Sequence, residues 1–165
     1  MDFIYDYIPV TVFWTMLLMA HMLASVALLG AVTHQALAVL APSKSKRGFL
    51  SRFRGVNAAA YAGAICVLWV TTCVIGAWIY THYRVYVRVP IESEGYWITV
   101  GLFELKENVV TLGLFLLPAY LFFWRRAGVA SYDTARRWTT VLLATMAWLG
   151  FIVGHLVVNV RGMAT

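Results

Sequence analysis

Seven ionisable side chains lie inside or at the edge of long apolar stretches: His21, His34, His82, Glu104, Lys106, Glu107 and His155. Neutral imidazoles on different helices can ligate a metal centre. A carboxylate beside an ammonium can exchange protons or grip a polar head group. Left unpaired within a bilayer, each such group costs about 2.5–3.5 kcal/mol on the insertion scale. A chain that keeps several of them is expected to hold a cofactor, a metal or a proton path.

The elements that must position them are the apolar stretches themselves, at about residues 8–40, 58–82, 96–124 and 138–160. A spanning helix needs about 20 predominantly apolar residues. The chain has 165 residues, of which 62% are hydrophobic and 12% charged. A soluble domain carries about 25% charged residues, so composition points to one integral membrane domain, all-α, a four-helix bundle.

The net charge of +6 does not point to nucleic acid, because its distribution is that of membrane topology. Lys44, Lys46, Arg47, Arg52 and Arg54 fall in one loop, and Arg125, Arg126, Arg136 and Arg137 in another. With four spans both loops share a side, which the positive-inside rule makes cytoplasmic. Both termini are then expected on the outer, periplasmic side of a bacterial inner membrane. The first tail carries Asp2 and Asp6 and no basic residue, and no signal-peptide pattern is present, so the first span is expected to be retained.

From Ile8 to Leu40 an ideal helix covers about 50 Å, beyond a hydrocarbon core of about 30 Å. A short surface helix is expected around Phe49–Phe53. The stretch 83–90 alternates, is rich in Val and Tyr, and reads as an extended external segment. In the third span the clean apolar part, Val109–Trp124, covers only about 24 Å, which draws Phe103–Asn108 into the outer leaflet. Cys66 and Cys73 sit on one helix, about 10 Å apart along its axis, too far to bridge, and read as packing residues.

Depth gathers the candidates. His21, His82, Glu104, Lys106, Glu107, His155 and Asn159 fall toward the outer face, and only His34 and Gln35 belong to the inner half, as capping or hydrogen-bonding residues of the rim. His21 and His155 stand on different helices at compatible depth, which suits the two axial positions of a haem iron, with His82 as a substitute for either. Gly150 and Gly154 either leave room for a macrocycle beside His155 or form a small-xxx-small packing face. Arg84, Arg88 or Lys106 at the rim would meet propionates. His21 and His34 lie about 140° apart around one helix, so one haem is expected rather than two stacked ones.

Glu104, Lys106, Glu107 and Asn159 admit other uses: a quinone or proton site, a subunit contact, or a wet helix start. His82 with Glu104 and Glu107 also offers three donors for copper or another metal. Nothing in the chain carries a nucleophile elbow, a phosphate loop or a Cys-x-x-Cys motif.

With four spans plus His21 and His155, the chain resembles the small four-helix membrane cytochromes of the b type. The resemblance is one of architecture, across the whole chain, and it implies a haem b subunit passing electrons between a quinone pool and a periplasmic carrier or other membrane subunits. A cofactor-free accessory subunit of a larger membrane complex and a metal-handling membrane protein stand beside it.

Overall fold

A computed structural model describes residues 9–42 and 48–163, with side chains through 157 and at 159. Asp2, Asp6, Lys44, Lys46 and Arg47 lie outside the described residues. The elements are helices α1 (Val10–Leu40), α2 (Phe49–Arg54), α3 (Ala58–Tyr86), α4 (Arg88–Ser93) and α5 (Trp97–Arg125), a 3-10 turn (Ala130–Tyr132), and α6 (Asp133–Met163). Four of them are long and apolar enough to cross a membrane, and the protein is a multi-pass membrane protein. At 31 residues, α1 measures about 46 Å, so it projects beyond a hydrocarbon core of about 30 Å.

The long helices form a closed ring in which α1 packs on α3 and α6, and α5 on α3 and α6. Short connections between successive helices make neighbours antiparallel. One end, the basic end, carries Arg52, Arg54, Arg125, Arg126, Arg136 and Arg137. The opposite end carries both helix termini nearest the chain ends, together with α4.

Local chemistry sets the boundaries. Asn57 caps α3, its side chain accepting from the Ala59 amide at 3.2 Å. Gly95 adopts φ +82° in the turn into α5, a conformation that favours glycine. Arg136 is buried and fixes the α5–α6 connection: its Nη1 donates to the Arg126 and Val129 carbonyls at 2.9 and 3.1 Å, and its Nη2 pairs with Asp133.

The segment 83–90 is helical, not extended. Its alternating valines at 85, 87 and 89 are outweighed by a stripe at four-residue spacing, Tyr83, Val87 and Ile91, all buried. Pro90 falls in the first turn of α4, where a missing N–H costs little. Span two therefore runs one turn past His82, and α6 begins five residues before Trp138.

Two apolar cores result. The larger, toward the basic end, joins Leu28, Val32, Ile65, Trp69, Leu117, Tyr120, Trp124 and Leu143. Within it Gln35 is satisfied twice, donating to the Ala58 carbonyl at 2.8 Å and accepting from the Tyr120 hydroxyl at 2.6 Å. His34 Nδ1 donates to the Phe53 carbonyl at 3.1 Å, tying α1 to α2. Both residues are thus the hydrogen-bonding rim residues that their position suggests. The smaller core, toward the other end, joins Tyr83, Val87, Ile91, Val100, Val153 and Val157 and contains no residue of α1.

Candidate functional site

Between the two cores lies a polar layer. Along each helix from the terminus-bearing end, His21, Gly76, Lys106 and Gly154 all lie about 13–17 Å in, at 1.5 Å per residue. The four long helices each place one of them at the same level.

His21 projects from α1 onto α3. A Cβ on Gly76 would stand 3.0 Å from its Cε1, so the ring occupies the notch that this glycine leaves. The ring lies beside the Thr72 backbone and within electrostatic reach of Lys106. Its Nδ1 is buried and has no hydrogen-bond partner among the described residues.

Thr72 Oγ1 is buried and unpartnered as well. This is unusual for the chain. Thr15, Ser25, Thr33, Thr139 and Thr145 each donate to the carbonyl four residues back, the ordinary outlet for a hydroxyl on a helix. The Thr72 hydroxyl does not take that outlet.

Lys106 enters from α5. Its Nζ lies 3.8 Å from Glu107 Oε1, 4.7 Å from the centre of the Phe103 ring, and 3.6 Å from where a Gly154 Cβ would stand. Its side chain is 16% exposed, that of Glu107 39%. The ammonium is therefore enclosed while its carboxylate partner opens toward the outside of the bundle. Cys73 lies within electrostatic reach of both. The layer thus combines an enclosed cation, a more open anion, an imidazole and a hydroxyl, with two buried polar atoms unspent. Buried polar groups are satisfied as a rule; Arg54 Nε and the Tyr83 hydroxyl are buried without a partner as well, so the two atoms of the layer stand out by their place beside Lys106.

No family model matches the chain, and no curated protein or solved structure matches it either. The site is therefore read from its own geometry.

The other sequence candidates fall elsewhere. His155 is exposed, its ring parallel to that of Phe151 at 6.2 Å. Asn159 is exposed too. His82 stacks on Trp14 at 4.4 Å and packs on Tyr86 at 4.6 Å in an aromatic group at the rim. Glu104 reaches away from the layer to Arg88 at 3.1 Å, and Arg88 also donates to Glu92 at 2.7 Å. That hydrogen bond holds the Arg88 guanidinium above its usual range.

These placements bear on the cofactors. A haem between His21 and His155 would need His155 turned into the bundle. The notches at Gly150 and Gly154, which it would use, receive Val110 Cγ2 (3.0 Å from an ideal Cβ) and Lys106 instead. As placed, these residues do not fit the macrocycle, and the two glycines serve helix packing. His82, Glu104 and Glu107 do not gather, and no group of three or more His, Cys, Asp or Glu among the described residues is arranged to hold a metal ion.

Sequence reasoning overlooked Thr72 and Gly76. A threonine and a glycine in an apolar helix carry no signal of their own. Their role comes from facing His21.

Proposed function

We propose that the chain is a subunit of a membrane electron-transfer assembly, in a bacterial inner membrane with its basic loops cytoplasmic, and that its polar layer binds the head group of a quinone and exchanges its protons. The observation that carries this reading is the pair of buried, unpartnered atoms, His21 Nδ1 at the level of the enclosed Lys106 ammonium and Thr72 Oγ1 one helical turn deeper than Gly76. An intramembrane ionisable residue marks a functional site by default. A quinone head group presents two carbonyl oxygens, and its reduced form two hydroxyls. Lys106 and the Thr72 hydroxyl supply donors, His21 can donate or accept according to its tautomer, and Glu107 links the enclosed groups to the exterior. The electrons would come from a redox centre on a partner subunit.

Titration of the detergent-purified chain with a short-tailed naphthoquinone, followed by tryptophan quenching, tests this. Saturable binding that weakens at least tenfold in both Lys106→Met and His21→Ala is the expected result. Binding that is absent, or equally strong in both folded variants, overturns the reading in favour of a cofactor-free accessory subunit.

A further inference from the structure

At the basic end, α5 bears a shallow, open surface cavity of about 290 Å³ lined by Pro118, Leu121, Phe122, Arg125 and Arg126, all from that helix and the residue after it. Three of its lining residues are apolar and belong to the spanning part of the helix. The two guanidinium-bearing residues follow in its last turn and the residue beyond, where such a helix meets the head-group region.

Arg126 is held in place twice. Its guanidinium lies over the Phe122 ring at 3.8 Å, and its carbonyl accepts from Arg136 Nη1 at 2.9 Å. Among the described residues neither Arg125 nor Arg126 forms an ion pair. Arg136 differs, since Asp133 already balances its charge. The C-terminus of α5 carries a partial negative charge of about half a unit, which opposes an anion; two full guanidinium charges outweigh it.

We propose that this cavity holds an anionic phospholipid, with its phosphate between Arg125 and Arg126 and its first acyl methylenes against Pro118, Leu121 and Phe122. Guanidinium groups match a phosphate's oxygens in a fixed fork, which a choline-bearing neutral lipid satisfies less well because its own cation competes. The apolar walls distinguish a lipid from a free phosphate, which would leave them uncovered.

Native mass spectrometry of the delipidated protein, titrated with phosphatidylglycerol or phosphatidylcholine, tests the assignment. Phosphatidylglycerol should bind more tightly. Arg125→Gln and Arg126→Gln should each weaken it about fivefold, the effect of one basic residue near the surface. Arg137→Gln, which removes the same charge outside this cavity, should leave it unchanged. Millimolar inorganic phosphate should not displace the lipid. Equal affinity for both lipids, an equal loss in Arg137→Gln, or displacement by inorganic phosphate each overturns the proposal. Unchanged helical circular dichroism confirms that the exposed-site variants are folded.

Discussion

Gly113→Ala is expected to be the most damaging single methyl group that can be added to the bundle. Gly113 is buried on α5 and faces Trp69 of α3. A Cβ there would stand 2.1 Å from Trp69 Cζ2 and 2.9 Å from Cε2 and Cη2. Carbon atoms rest about 3.5–4.0 Å apart, so the ring would have to move by roughly 1.4 Å or more. It has little freedom to do so, being 1% exposed and donating from Nε1 to the Val110 carbonyl at 3.2 Å. Overpacking of this kind costs about 1–3 kcal/mol, and a lost interhelical hydrogen bond in a membrane protein about 0.6–1.7 kcal/mol. A destabilisation of about 3 kcal/mol follows, which for a chain of this size lowers Tm by roughly 6–12 °C. Thermal unfolding in detergent, read by tryptophan fluorescence and circular dichroism, measures it. Trp69→Leu removes the ring, so the double variant should be clearly more stable than the two single losses added together. A Gly113→Ala protein within about 0.5 kcal/mol of the parent, an ordinary near-neutral change, would refute the close α3–α5 seam.

Other outcomes follow from the same geometry. Gln35→Leu strands the buried Tyr120 hydroxyl and should cost about 1–3 kcal/mol in unfolding experiments, while Tyr120→Phe, which leaves Gln35 its bond to the Ala58 carbonyl, should cost less. Arg136→Met removes donors from two carbonyls and leaves Asp133 alone, so the α5–α6 connection should become susceptible to limited proteolysis. A dithionite-reduced minus oxidised spectrum of the purified chain should lack a stoichiometric Soret band; such a band, lost in both His21→Ala and His155→Ala, would contradict the placement of His155 on the exterior. Arg88→Gln should leave the thermal unfolding midpoint nearly unchanged, since ion pairs open to solvent contribute little.

The spans are legible in the sequence because apolar run length and loop charge are one-dimensional properties. Their ends are less so. Residues 133–137 are polar yet helical, since a helix leaving the membrane needs no apolar side chains. The 83–90 segment misleads because alternation over a few residues competes with the wider spacing of Tyr83, Val87 and Ile91. For the site, residue type and depth pick out His21, Lys106 and Glu107. Rotation about the helix axis is the missing quantity. When a span is apolar nearly all round, hydropathy does not say which face meets the bundle, so His155 looks equivalent to His21 although it faces outward. Gly150 and Gly154 suggest space in the sequence and prove to be filled by Val110 and Lys106.

The polar layer is kept either for chemistry or for stability. Replacing a buried ion pair by apolar residues of similar size is often neutral or stabilising by about 1–4 kcal/mol, and the gain is smaller for this pair because only Lys106 is enclosed. The Lys106→Met/Glu107→Leu double variant, measured for thermal unfolding and naphthoquinone binding on one preparation, separates the two. A Tm equal to or above that of the parent, with quinone binding gone, is the predicted result. A protein destabilised by several kcal/mol that still binds the quinone would contradict it.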